Sequence, residues 1–476
     1  MSENELIAKF NDAGQGQVFE FYENLSADEK SALITQAETI DLTEIASLSK
    51  ELLSGASDIG VDFDSLQAAP YSALPENGGD VGLWKKAKAC GEEALRKNKV
   101  AAFTVAGGQG TRLGYNGPKG TFPVTPINSK PLFQVFAEKI LYAIKRYDCS
   151  LHWFIMTSYL NHSQTVEFFE KNDYFGLNEA EVHFFSQGLM PALTPEGKIM
   201  LESKHRIAMS PDGHGGALRA LVRSGSVKIM QDAGVEALSY FQVDNPLVHC
   251  IDPEFVGFHL LEQSDMSSKM VPKAYAKEKV GNFCKQGDTY LVVEYSDLPD
   301  ALTEKKDDAG ELYFRSGSIA IHILSPNFID RVGSDTAGKY KLPFHKAYKK
   351  ISAVDALGKT VKPDSENGYK MEMFVFDALP LASKPVIIET DRSSEFSPVK
   401  NPEGVDSVIS CKEDQQKQFA RWIRAAGAQI ETDADDIPVS KIEISPLFAT
   451  TEIEFAEKWA SLSEQPSLDN DLYIKP

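Results

Sequence analysis

Cysteine is scarce and scattered. The five residues Cys90, Cys149, Cys250, Cys284 and Cys411 are odd in number and form no CxxC-type pair. That disfavours a disulfide framework and a structural zinc site, and fits a reducing compartment. No stretch of about 18 apolar residues occurs, so no segment reads as a membrane span. The first residues, MSENELIAKF, lack the basic-then-apolar order of an export signal. These absences set the expectation of a cytoplasmic protein without a membrane partner. Basic residues are in deficit: Lys plus Arg is 49 against 69 for Asp plus Glu, a formal net charge of -20. A field of that sign repels phosphate backbones and argues against a general nucleic-acid surface. A phosphorylated small molecule must then be met by a few local cations. The nine histidines form no HxxxH or His/Cys ligand set. His322 and His345 have no visible partner along the chain and are expected to be structural.

What is present reads as an ordinary globular chain. Its 476 residues correspond to about three domains at roughly 150 residues each. Residues 3–53 read as helices, with Ser26 to Glu29 forming a capping-box pattern. Residues 54–83, rich in Gly, Pro, Ser and Asp, read as a connection, and Trp84 to Lys99 as a helix. From Val100 the pattern changes. Strand-like runs at 100–106, 152–157, 182–185 and 237–243 alternate with helical ones at 130–147, 161–171 and 214–223. Such alternation predicts an α/β fold: a Rossmann-like mixed, mostly parallel sheet flanked by helices. Right-handed crossovers put the strand C-terminal ends on one edge, where ligands bind. Tyr290 to Tyr295 and Ser318 to Ile323 lack intervening helices and read as antiparallel strands. A charged helix at 413–425 and short β runs predict a small C-terminal domain. The expected division is 1–99 helical, 100–385 catalytic and 386–476 C-terminal.

The strongest local signal is Ala106-Gly-Gly-Gln-Gly-Thr-Arg-Leu-Gly114, followed by Pro118-Lys119. Gly107, Gly108 and Gly110 after a strand let the backbone approach an anion closely. Successive N–H groups there can form an anion-binding nest. Arg112 and Lys119 supply local positive charge, Arg as a bidentate fork and Lys as a point charge. Two other phosphate loops are excluded. Leu113 stands where the dinucleotide fingerprint needs its third glycine. Lys119 follows Pro118 and precedes Gly120, so there is no GK[ST] P-loop.

The segment 107–119 closely resembles the nucleotide-binding signature of the UTP:sugar-1-phosphate uridylyltransferases, and among them the UDP-N-acetylglucosamine pyrophosphorylases. Further blocks carry the resemblance in the same order: Phe185 to Gly188, Ser210 to Gly216, Val243-Asp-Asn245, Val293 to Ser296, Arg315 to Ser318, Met373 to Asp377 and Glu395 to Asn401. The resemblance implies a nucleotidyltransferase-type fold. It also implies the making of UDP-N-acetylglucosamine and pyrophosphate from UTP and N-acetylglucosamine 1-phosphate. The reaction would be in-line attack on the α-phosphorus.

The resemblance also assigns roles. Arg112, Lys119 and Lys400 are implied as catalytic cations. Ala106, Gly107, Gly108, Gly110 and Thr111 are implied nucleotide contacts, and Gln187 and Gly213 readers of uracil. Asp244, with Asn245, sits at a strand end and reads either as a Mg²⁺ ligand (Mn²⁺ a second choice) or as a turn cap; the resemblance favours metal and nucleotide contact. Glu294, in a β run, is implied to hold sugar hydroxyls, the alternative being a solvated edge charge. Phe374 and Phe376 share a face if they lie in a strand, either walling the sugar or as core. Two positions depart from the N-acetylglucosamine pattern: His214 and Ser318 stand where asparagines are usual. The glucose-1-phosphate enzymes carry a comparable histidine. The sugar therefore stays open between an N-acetylhexosamine and a hexose 1-phosphate, with a UDP-glucose or broad UDP-sugar pyrophosphorylase as the alternative. A silent sugar-nucleotide-binding regulator and a Rossmann oxidoreductase are the remaining readings. Intact cations oppose the first and the missing third glycine the second.

Overall fold

The computed structural model describes residues 1–54, 60–336 and 338–476. The connection expected over 54–83 begins partly outside those residues. The chain divides into two compact units, one of 1–63, 187–219 and 331–378 and the other of 64–186, 220–330 and 379–476.

The larger unit is built on a sheet of ten strands among the described residues. Four of them, Val182–Ser186, Trp153–Thr157, Val100–Val105 and Ala237–Gln242, lie parallel in that spatial order. The inner three are apolar runs buried on both faces, as helix-covered parallel strands must be, while the outermost, Val182–Ser186, is half-buried. Register pairs Val105 with Met156 and Gln242, so the strands end level with one another. Beyond them the sheet turns antiparallel: Ser316–Leu324 pairs with Met266–Pro272 along one edge and with Ala237–Gln242 and Gly281–Gln286 along the other. The sheet is therefore mixed: Thr289–Val293 and Ser316–Leu324 pair antiparallel, as the sequence predicts, while Val386–Glu389 joins Met266–Pro272 in parallel.

The helix Leu132–Tyr147 buries Phe133, Phe136 and Ile140. Phe133 meets Trp153 and Phe169 edge-on, and Phe136 meets Phe241. Full burial of one such side chain contributes about 1.5–3 kcal/mol. On another helix pair, Val81–Arg96 and Pro253–Glu262, backbones touch. A Cβ on Gly91 would lie 1.8 Å from the Pro253 carbonyl oxygen, and one on Gly257 would lie 1.7 Å from that of Ala87. Helices Val408–Ala425 and Glu452–Ser461 enclose a separate core of Phe419, Trp422, Phe455 and Trp459, beside the parallel pair Ile442–Ile444 and Leu472–Ile474.

The smaller unit begins with helices Glu3–Asp12, Ala27–Glu38 and Leu42–Ser54. Ser26 and Glu29 exchange side-chain and backbone hydrogen bonds, the expected capping box. Short antiparallel pairs follow, including Leu189–Pro191 with Met209–Pro211 and His345–Lys349 with Gly368–Glu372. Among the described residues no helix is long and apolar enough to cross a membrane.

Candidate active site

The glycine loop leaves the strand Val100–Val105 at the level edge of the parallel strands. Ala106 N–H donates to Met156 O, which carries the chain straight out of the sheet. The loop then doubles back: Gly110 N–H donates to Gly117 O, and Lys119 N–H to Gly108 O. This fold returns Lys119 to the loop's own mouth. Gly110 is glycine for want of space, since a Cβ would stand 2.7 Å from the Tyr115 ring. The N–H groups of Gly107, Gly108 and Gln109 meet no acceptor among the described residues. They are the donors an anion would take.

One residue that sequence reasoning missed fixes this shape. Asn161 is fully buried and donates to the carbonyls of Ala106 (3.0 Å) and Gly108 (3.1 Å). Its own Oδ1 accepts from Ser158 N–H and Oγ. The available signal was position: a polar residue just past the strand Trp153–Thr157, on the edge where the glycine loop sits.

Facing the loop, Asp244 follows the strand Ala237–Gln242. Lys119 Nζ lies 3.8 Å from Asp244 Oδ2, and both side chains are largely buried. Burial lowers the Lys119 pKa; Asp244 opposes the shift, and Lys400 and Arg112 add to it by like charge. Arg112 and Lys400 themselves are exposed. Three cations and one carboxylate thus converge at one sheet edge. Asn245 is turned inward: Nδ2 donates to Glu395 O at 2.7 Å, and Oδ1 accepts from Ser397 N–H at 3.1 Å.

Elsewhere on the same sheet, Ser318 pairs with Gly281 and Met270. A Cβ on Gly281 would be 3.5 Å from Glu294 Oε1 and 3.8 Å from Ser318 Cβ, so these three residues share one place. Glu294 is not within the strand, contrary to expectation. The strand ends at Val293, because the Glu294 carbonyl turns to accept from Asp297 and Leu298 N–H.

In the smaller unit, three segments interlock. Asp212 N–H donates to Gly188 O, Met373 N–H to Asp212 O, and Gly215 N–H to Met373 O. Gly213 has φ +83, and a Cβ there would stand 2.4 Å from Met373 O. The Asp212 carboxylate, also missed by the sequence, fills the space that glycine leaves at 188 and 216. Gln187 adjoins this knot. His214 Nδ1 accepts from Val375 N–H, which leaves the proton on Nε2. Burial pushes its pKa down to about 4, so the ring is neutral near pH 7 and offers a donor.

Phe374 and Phe376 do not lie in a strand. The strand stops at Glu372, and Val375–Leu381 is a 3₁₀ turn. Their rings still meet, 5.2 Å apart, because the turn folds them together. Phe374 is stacked between His214 (5.2 Å) and His345 (4.3 Å). His345 does have a partner, Asp377 at 2.8 Å, and His322 has Ser268 at 2.9 Å. Both were hidden by distance along the chain.

A sequence profile of the UTP–glucose-1-phosphate uridylyltransferases matches residues 64–417. The chain belongs to that family. Among its relatives, a probable UDP-N-acetylglucosamine pyrophosphorylase of Dictyostelium discoideum is 35% identical over 455 residues, covering 91% of each chain. The UDP-N-acetylglucosamine pyrophosphorylase of Saccharomyces cerevisiae is 34% identical, covering 89% of this chain and 91% of that one. The crystal structure of the Trypanosoma brucei uridine diphosphate N-acetylglucosamine pyrophosphorylase, in complex with an inhibitor, superposes with a TM-score of 0.84. It is 26% identical and covers 100% of this chain and 99% of that one. For this uridylyltransferase family member, the nucleotidyltransferase-type architecture expected from the sequence is therefore established.

Proposed function

We propose that the protein makes UDP-N-acetylglucosamine and pyrophosphate from UTP and N-acetylglucosamine 1-phosphate. The observation that carries this reading is the cation cluster: Lys119 beside Asp244, with Arg112 and Lys400 acting on the same ammonium. A phosphate monoester with a second pKa near about 6 is already largely dianionic at neutral pH, so its oxygen needs no strong base to attack. The barrier lies in bringing two polyanions together in line. Positioning and charge neutralisation lower it.

In this reading the free N–H groups of the glycine loop hold UTP phosphates. Lys119 neutralises charge that grows around the α-phosphorus, while Arg112 and Lys400 clamp the outer oxygens. Gln187 can donate and accept through one amide, which suits a pyrimidine edge, and Gly213 gives close backbone approach. Glu294 accepts from sugar hydroxyls. Asp244 fits a magnesium ion, with manganese the second choice. Its one hard carboxylate is nearly buried, and Lys119 stands beyond direct hydrogen-bond length. A divalent ion held there would supply further charge neutralisation on the phosphate oxygens.

A second sugar remains in play on a specific observation. Ser318 offers one short hydroxyl beside Glu294 and Gly281, rather than a longer amide. That site is compatible with glucose 1-phosphate. The test is pyrophosphate release from UTP with a panel of sugar 1-phosphates, with and without Mg²⁺. Fastest turnover with N-acetylglucosamine 1-phosphate, abolished by chelation, is expected. Faster turnover with glucose 1-phosphate would transfer the assignment to that sugar, and no release with any would end the proposal.

A further inference from the structure

The segment that carries Lys400 begins at an ionic cluster in which Lys269 and Glu395 are buried and Asp252 is largely so. Lys269 Nζ is 2.6 Å from both Glu395 oxygens and 2.6 Å from Asp252 Oδ2. Ligating atoms of His249, Asp252 and Glu395 lie within 4.8 Å of one another, a spacing that would suit a metal ion. Here the chain's own ammonium sits between the two carboxylates. Burial opposes that charge, but Asp252 and Glu395 outweigh it and hold the lysine pKa above its usual value.

Glu395 is more than a counter-ion. Oε2 accepts from Thr390 Oγ1 at 2.6 Å, and Oε1 from His249 N–H at 3.1 Å. Its backbone carbonyl accepts from Asn245 Nδ2. Asn245 Oδ1 then takes Ser397 N–H at 3.1 Å and Leu247 N–H at 3.3 Å. Val399 N–H closes the run on Asp244 O at 2.8 Å. Ser397 Oγ is tied separately to Asp414 at 2.6 Å. Residues 395–399 are thereby laid alongside 244–247, and Lys400 is the next residue.

We propose that Asn245, anchored by the Glu395–Lys269 cluster, is a positioning residue that presents Lys400 to the phosphates beside Asp244. Its amide is 5% exposed and bonded to the chain at both ends, so it serves the loop rather than the nucleotide. A side chain that only stabilised the fold would not need to join the strand end bearing Asp244 to the segment bearing Lys400. The proposal rests on reading Lys400 as a phosphate clamp.

The experiment is a double-mutant cycle on the full chain: Asn245→Ala, Lys400→Ala and the pair, each with kcat, the KM for UTP and a melting curve. Asn245→Ala is expected to lower kcat about tenfold or more with little change in the KM for UTP, and the double variant to turn over no slower than Lys400→Ala alone. A double variant slower by the full product of both factors would overturn the proposal. Wild-type turnover in Lys400→Ala would overturn the reading of Lys400, and the proposal with it. Should Asn245→Ala not fold, Asn245→Asp serves instead. It keeps the acceptor for Ser397 but loses the donor to Glu395, and the same non-additivity is expected.

Discussion

Lys119→Ala removes the cation on which the proposed chemistry turns. A phosphate oxygen seated as far from the ammonium as Asp244 Oδ2 is, 3.8 Å, interacts with it by about 4 kcal/mol at an effective dielectric constant of about 20. Part of that attraction already exists when UTP binds. The part that grows as charge shifts around the α-phosphorus acts on turnover alone. Loss of one aimed donor in a desolvated site costs about 10²–10³ in kcat. The expected result is therefore a drop of that order in kcat, with UTP affinity changed about tenfold or less. Steady-state pyrophosphate release gives kcat, and equilibrium titration with UTP gives the affinity. Unchanged turnover would refute the reasoning. So would a loss seen wholly in UTP binding, because that would make Lys119 a holder of the ground state.

Asn161→Ala strips the donor from two loop carbonyls. At about 1–3 kcal/mol per buried unsatisfied group, it should raise the KM for UTP by tenfold or more and lower the melting temperature; steady-state kinetics and a thermal melt check both. Gly213→Ala meets both a left-handed backbone and Met373 O at 2.4 Å, and should destabilise the protein measurably in urea unfolding and weaken UTP binding. His259 is buried, bonded to Ser267 Oγ, and burial holds its pKa at about 4. The unfolded chain takes up that proton near pH 6.5, so the stability His259 contributes is present above about pH 6.5 and is lost as pH falls toward 4. By pH 5 the loss is about 2 kcal/mol, and His259→Asn should remove about that much from the fall in urea-unfolding free energy between pH 7 and pH 5.

Legibility from sequence followed range. The strand–glycine–arginine–lysine order at 100–119 was visible because one short segment holds its strand, its donors and its charge. The capping box at Ser26 and the helix Leu132–Tyr147 were visible for the same reason. Two local expectations failed at strand ends. Glu294 and Phe374 stand in runs with β composition, but turn hydrogen bonds from Asp297 and Leu298, and the 3₁₀ turn from Val375, end the strands first. What could not be read at all was long-range polar pairing. Asn161 serves carbonyls more than fifty residues away, and Lys269 meets Glu395 across 126. Neither leaves a pattern in neighbouring residues. His345 and His322 looked partnerless for the same cause.

The smaller unit is assembled from three stretches, 1–63, 187–219 and 331–378, and the larger from the three that intervene or follow. No single cut in the polypeptide releases either one whole. Synthesis from the amino end supplies Gly213 and His214 well before Met373, Phe374 and Phe376, against which they pack. A nascent chain therefore carries an incomplete knot until residue 378 has emerged, and a prematurely terminated product would retain the glycine loop without it.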